Sequence, residues 1–221
     1  MIDSVYQITK SSGGKEMIAI IDYDAGNLKS VEKALAYIGE NAVVTRERHE
    51  LITAEKVILP GVGSFGDAMN KLAGYDLIDT ISEIAKKGIP FLGICLGLQL
   101  MFQDSEESPG VKGLSLLPGR ILKIPDCPGL KIPHMGWNSL TITPSGTQKA
   151  RLFEGLPGEP YVYFVHSYYL KAEDESIVAA SAEYSTHIHA SVEKGSLFGC
   201  QFHPEKSGEI GLEILKNFAA I

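Results

Sequence analysis

The chain has 221 residues, 44% of them hydrophobic, a formal net charge of −7, a sequence pI of about 5.4 and a mean hydropathy of +0.05. One domain with a sizeable core fits that length. Mild acidity argues against nucleic acid as a partner, and no apolar stretch is long enough to span a membrane bilayer.

Residues 1–16 lack the apolar segment of a signal peptide, and their Ser11-Ser12-Gly13-Gly14-Lys15 run reads as a flexible extension before a domain at 17–221. Met17-Ile18-Ala19-Ile20-Ile21-Asp22 is a continuous apolar run, as expected of a strand buried on both faces of a parallel sheet. Gly26-Asn27 leads into a helix over 28–37 with Val31, Leu35 and Ile38 on one stripe. Strands follow over 42–45 and 56–59, then a helix over 76–87 that stops at Gly88. The next strand covers 89–94 and runs into a sharp turn and a helical run, Leu98 to Phe102. After Gly110 the texture changes to short strand-like runs near 120–124, 138–143, 161–166, 177–182, 187–193 and 197–202, separated by Pro, Gly and Ser. A helix over 209–218 ends the chain. The expected fold is α/β: a mostly parallel central sheet flanked by helices, with the late strands as antiparallel additions.

The chemistry concentrates at Gly93-Ile94-Cys95-Leu96-Gly97, a strand–turn–helix junction with a cysteine at the turn. That is the pattern of a nucleophile elbow, with sulfur in place of serine oxygen. Flanking glycines permit a tight reversal, and a thiol at a helix N-terminus is favoured as thiolate. A buried structural cysteine is the plainer alternative. A nucleophilic thiol needs a base, and His203-Pro204-Glu205 offers one. Residues i and i+2 of an extended segment share a face, and Pro204 keeps His203 out of the helical region, so His203 and Glu205 should project together. His203 would take the thiol proton and Glu205 would orient the imidazole. Cys127 and Cys200 complete no CxxC pair and no disulfide framework, which fits a reducing cytoplasm.

Pro60-Gly61-Val62-Gly63-Ser64-Phe65-Gly66 contains a GxGxxG, but in the third strand–helix unit and with Glu83 inside a helical pattern, so a dinucleotide cofactor is not expected. Its backbone N–H groups could instead face a transient oxyanion, if adjacent parallel strands bring the loop to Cys95. His187-Ile188-His189 has metal-ligand alternation without a third ligand nearby, so no metal site is expected. Tyr161, Tyr163, Tyr168 and Tyr169 surround His166 and read mainly as packing residues.

Gly93-Ile94-Cys95-Leu96-Gly97-Leu98-Gln99 together with His203-Pro204-Glu205 resembles the class I (triad) glutamine amidotransferases. Ile21-Asp22-Tyr23-Asp24-Ala25-Gly26-Asn27-Leu28, Pro60-Gly61-Val62-Gly63-Ser64-Phe65, Pro133-His134-Met135-Gly136-Trp137-Asn138 and the Lys206-Ser207 extension resemble the glutaminase subunits of imidazole glycerol phosphate synthase. The resemblance covers the chain from about Met17 onward. It implies hydrolysis of glutamine to glutamate and ammonia. The ammonia would pass to a (β/α)8-barrel cyclase subunit, held as a heterodimer, that makes imidazole glycerol phosphate and an aminoimidazole carboxamide ribonucleotide for histidine biosynthesis. The resemblance further implies a Cys95, His203, Glu205 triad and oxyanion donors at the N–H groups of Leu96 and Val62. Around glutamine it places Gly61, Gln99, Glu107, Ser167 and Tyr168, with Glu107 toward the substrate ammonium and the Ser167–Tyr168 backbone toward its α-carboxylate. It puts Tyr163, Trp137, Asn138 and Lys206 on the side facing the cyclase. A glutaminase serving a different ammonia-using synthase is the alternative, and a non-catalytic binding subunit a more distant one.

Overall fold

The computed structural model describes residues 17–143 and 150–221, so the expected extension at 1–16 lies outside the described residues. The first half alternates strand and helix, with two helices, α2 and α3, that the sequence pattern did not predict and an α5 that starts two residues earlier than expected: β1 (Met17–Ile21), α1 (Leu28–Tyr37), β2 (Asn41–Thr45), α2 (Arg48–Thr53), β3 (Lys56–Leu59), α3 (Phe65–Gly74), α4 (Leu77–Lys86), β4 (Phe91–Ile94) and α5 (Leu96–Leu100). Then come β5 (Asp104–Ser105), β6 (Gly119–Lys123), β7 (His134–Ser139), β8 (Thr141–Ile142), β9 (Tyr161–His166), β10 (Tyr168–Ala172), β11 (Val178–Glu183), β12 (His187–Lys194), β13 (Leu197–Cys200) and α6 (Gly208–Ala219).

The frame is an eight-stranded sheet in the order β2-β1-β3-β4-β13-β12-β11-β8. The strands from β2 to β13 in that order run parallel, and β12, β11 and β8 extend the sheet antiparallel. The apolar runs of β1, β3 and β4 are buried on both faces because helices cover both. Alternation along β1 splits the core in two. Ile18 and Ile20 pack with Val31 and Leu35 of α1 and with Ile214, Leu215 and Phe218 of α6. Ala19 and Ile21 face Phe65 and Leu72 of α3 and Ile81 and Ile84 of α4. Each such fully buried Leu, Ile or Phe stabilises the fold by roughly 1.5–3 kcal/mol. As expected, Gly88 ends α4, with φ +71°.

The late strands do not all join this sheet. β13 enters it parallel to β4. β6 pairs with β10 and β5 in a separate three-stranded sheet, and β7 pairs, among the described residues, only with β9. Alternating burial, as in β9, tells which face is covered but not which strand is the neighbour. The strand expected over 138–143 is divided: β7 begins earlier, at His134, and ends at Ser139, and Leu140 turns its N–H to the Pro160 carbonyl before β8. The carboxyl ends of β1, β3, β4 and β13 lie side by side, which is where open α/β sheets place their ligands.

Candidate active site

Cys95 follows β4 with φ 54° and ψ −106°, a strained conformation for a residue with a Cβ. The strain falls on the cysteine itself, while the glycines supply room. A Cβ on Gly97 would sit 1.8 Å from the Leu59 carbonyl oxygen, and one on Gly93 would sit 2.7 Å from the Gly97 backbone. The Cys95 N–H donates to the Cys200 carbonyl at 2.7 Å, tying the elbow to β13. Helix α5 has only five residues, so the dipole expected to act on the thiol reduces to a few local N–H groups. The thiol lies within 4.0 Å of the Val165 carbonyl and 3.7 Å from Gln201 Nε2, which donates toward it.

His203 is fully buried, and its Nδ1–H donates to Glu205 Oε1 at 2.8 Å. The pairing is as expected but its cause is not. Pro204–Lys206 forms a 3-10 turn in place of a continued extended segment, and this turn brings Glu205 to the ring. Asn27 Nδ2 donates to the same carboxylate oxygen at 3.1 Å from the start of α1. The outer oxygen of Glu205, the amide oxygen of Asn27 and Nε2 of His203 are buried without a hydrogen-bond partner. Burial disfavours the imidazolium, but contact with Cys95 and Glu205 outweighs it, and the pKa of His203 is pushed up to about 9. Burial likewise works against the Glu205 carboxylate, yet His203 and Asn27 hold its pKa below the ordinary value. Burial drives the Cys200 thiol well up, which makes it a core residue.

A cleft of about 320 Å³ opens over Cys95, lined in part by Val62, Leu96, Gln99, Glu107, Ser167 and Tyr168. Its volume is at the small end for ligand sites and fits an amino acid. Glu107 is half-buried, unlike its exposed neighbour Glu106, and one of its oxygens accepts the Phe65 N–H at the start of α3 at 2.8 Å. Gln99 Nε2 donates to the Tyr168 carbonyl at 2.9 Å and to Gln201 Oε1 at 3.0 Å. Gly61 packs so closely that a Cβ would lie 2.3 Å from the Tyr23 hydroxyl. The Leu96 N–H donates to the Gly61 carbonyl at 3.3 Å. In a trans peptide the N–H points opposite to the carbonyl, so the Val62 N–H is turned away from Leu96.

Away from the cleft, Trp137 is 56% exposed and so is not a core residue, and its ring meets Tyr163 edge-on at 6.2 Å. Lys206 is also exposed. Asn138 is tied inward, donating to the Glu183 carbonyl at 2.9 Å. His187 and His189 have separate partners: His187 pairs with Glu183, and His189 Nδ1 accepts the Ala172 N–H at 3.2 Å. Sequence reasoning did not assign Asn27, Gln201 or the buried His134–His166 contact to the site. For Asn27 the signal was its place in the Gly26-Asn27 helix entry.

The class I glutamine amidotransferase family matches residues 19–221. The imidazole glycerol phosphate synthase subunit HisH of Moorella thermoacetica is 50% identical over 204 residues, 92% of this chain and 94% of that protein. The same subunit of Methanothermobacter thermautotrophicus is 49% identical over 205 residues, 93% of this chain and 98% of that protein. Among solved structures, a glutamine amidotransferase superposes with a TM-score of 0.70 at 18% identity, over 92% of this chain and 99% of that one. PurLQS from Thermotoga maritima gives a TM-score of 0.68 at 22% identity, over 93% and 98%. At those identities the structures speak for the fold, and the sequence relatives speak for the family. The chain belongs to the class I glutamine amidotransferases and, among them, to the HisH subunits of imidazole glycerol phosphate synthase.

Proposed function

We propose that the chain hydrolyses glutamine through a Cys95–His203–Glu205 triad and hands the ammonia to a barrel cyclase subunit in a cytoplasmic heterodimer of histidine biosynthesis. The observation that carries this reading is the strained Cys95 elbow, which lines an amino-acid-sized cleft and touches His203 of a fully buried His203–Glu205 pair behind it. Cys95 Sγ attacks the side-chain amide carbon of glutamine, and protonated His203 gives its proton to the departing ammonia. Water then attacks the glutamyl thioester while His203 takes its proton, releasing glutamate and the thiol. Glu205 holds the ring with Nδ1 protonated, so that Nε2 is the atom that exchanges protons. Gln99 and Glu107 line the substrate, with Glu107 toward its ammonium, and the Ser167–Tyr168 backbone takes its α-carboxylate.

The oxyanion would be held by the N–H groups of Leu96 and Val62, but the Gly61 carbonyl occupies the Leu96 donor and the Val62 N–H faces away. Rotation of the Gly61–Val62 peptide would free one donor and add the other. We read this as the control point. Docking of the cyclase on the Trp137, Tyr163, Asn138 and Lys206 face, with its ribonucleotide bound, favours the rotated state. No helix among the described residues is long and apolar enough to cross a membrane. The test is a glutaminase assay of the chain alone, with the barrel subunit, and with the barrel subunit plus ribonucleotide. Turnover should rise by about two or more orders of magnitude in the last condition. Equal turnover in all three would end the control reading, and absence of turnover in all three would end the enzymatic one.

A further inference from the structure

His134 lies behind the glutamine pocket in the Pro133-to-Asn138 block and has no part in the triad. It is directly opposite His166 across the β7–β9 pair, and the two are only 3% and 6% exposed. His134 Nδ1 and His166 Nε2 are 3.1 Å apart, and His166 Nδ1 is 2.9 Å from the Tyr168 carbonyl. A carbonyl oxygen only accepts, so His166 carries its proton on Nδ1. A neutral His166 then has a bare Nε2, which accepts from His134 Nδ1–H. That leaves His134 Nε2 bare, and Asn138 Nδ2 stands 3.4 Å from it. The other amide N–H of Asn138 goes to the Glu183 carbonyl. Donors and acceptors match along the whole chain, and they match only while both rings are neutral. Burial keeps them so, pushing the pKa of His134 down to about 4. It drives His166 to about 3 against the hydrogen bond to Tyr168, helped by His134 and His203. The His134 ring is fixed as well as bonded, stacked between Phe164 at 4.6 Å and Tyr184 at 4.0 Å.

The chain of bonds ends on a carbonyl with a second duty. Tyr168 O also accepts from Gln99, which donates on to Gln201, whose amide reaches Cys95 Sγ. We propose that His134 is a positioning residue for glutamine: by donating to His166 it fixes that ring's tautomer, and so holds the Ser167–Tyr168 backbone where the substrate α-carboxylate binds. The proposal rests on the reading of that backbone as the carboxylate subsite.

Two substitutions of opposite deficit separate positioning from packing. His134→Phe keeps the ring stack and loses the donor. His134→Asn loses the stack and keeps an amide N–H in place of Nδ1–H. In glutaminase assays of the full complex with the barrel subunit and its ribonucleotide, His134→Phe should raise KM for glutamine about five- to tenfold, with kcat falling less. His134→Asn should keep KM within about twofold of wild type, even with a lower thermal midpoint. The reverse order, or an unmoved KM in folded His134→Phe, overturns the inference. If His134→Phe does not fold, nitrogen NMR of the wild-type chain decides: the proton on His166 must sit on Nδ1, and finding it on Nε2 overturns the inference. Cys95→Ala serves as the parallel control. Full turnover in that variant would remove the site and its carboxylate subsite together. An inactive Cys95→Ala beside an unmoved KM in His134→Phe overturns the role of His134 alone.

Discussion

Two loops meet at the cleft and are built in opposite ways. The Cys95 elbow is locked by backbone contacts: Gly97 presses on the Leu59 carbonyl, and the Cys95 N–H is bonded to Cys200. The Pro60-to-Gly63 loop is anchored at one end only. The Tyr23 hydroxyl donates to the Pro60 carbonyl at 2.8 Å, but the next peptide is held by one 3.3 Å bond to Leu96. Beyond it Val62 is exposed and Gly63 has φ +106°, with nothing within 4 Å of a Cβ position. On the proposed reading, the nucleophile is therefore placed by sterics that no ligand would alter. The oxyanion donors depend on a peptide orientation that a ligand could change. In the proposed mechanism, one site thus separates the capacity for the reaction from permission to perform it.

The largest expected effect breaks the locked side. Cys95→Ala and Cys95→Ser should lower glutamine turnover by about 10⁴-fold or more while leaving partner binding intact, because a triad stripped of its nucleophile has no covalent route. Replacement of Cys127 or Cys200 should leave turnover within about twofold of wild type. A thiol-directed glutamine analogue that labelled Cys200 ahead of Cys95 would contradict this division. Next comes the permissive side. Val62→Pro has no N–H to offer in either peptide orientation, so the liganded complex should lose about 10²–10³ in kcat. The isolated chain, whose Val62 N–H already faces away, should lose far less. A similar loss in both states would show that the peptide is not the switch.

A stability measurement sharpens the same contrast. Gly97→Ala forces a Cβ against the Leu59 carbonyl and should cost about 3 kcal/mol, lowering the thermal midpoint by roughly 6–12 °C. Gly63→Ala meets no neighbour and should cost only the strain of its positive φ, about 1 kcal/mol. Equal midpoints for the two variants would mean that the elbow is not the rigid partner.

Apart from α2 and α3, which were not predicted, the parallel half was legible because its signals are local. The apolar run of β1, the stripe of α1 and the glycine ending α4 each report a nearby cause. The elbow at Cys95 was legible for the same reason, since a strand, two close glycines and a helix adjoin it in sequence. The pairing of His203 with Glu205 was readable, but the turn that makes it was not, because a 3-10 turn and extended alternation both put i and i+2 within reach. Asn27 joins Glu205 across 178 positions, a contact set by which strands end side by side. The His134–His166 contact depends on the β7–β9 register, which alternation alone does not specify.

The last expected effect concerns protons on the locked side. In the folded chain the pKa of His203 is raised to about 9, against an ordinary value near 6.5. A raised pKa means that the folded state binds the proton more tightly. The stabilisation is complete below about pH 6.5 and is lost as pH rises through about 9. Glu205 is shifted downward, so its contribution is present above its unfolded pKa and disappears as pH falls through the lower folded value. Urea unfolding of wild type and His203→Gln between pH 5 and 10 should give a difference that shrinks by roughly 1–3 kcal/mol from pH 6.5 to 9. Cys95 is the first of the contacts that raise His203, so the same scan in a Cys95→Ala background should move the upper end of that window down toward 6.5. A window unmoved by Cys95→Ala would mean that Glu205 alone charges the imidazole. The thiol would then have to be deprotonated by a histidine that does not sense it, and the elbow would be rigid without being electrostatically coupled to its base.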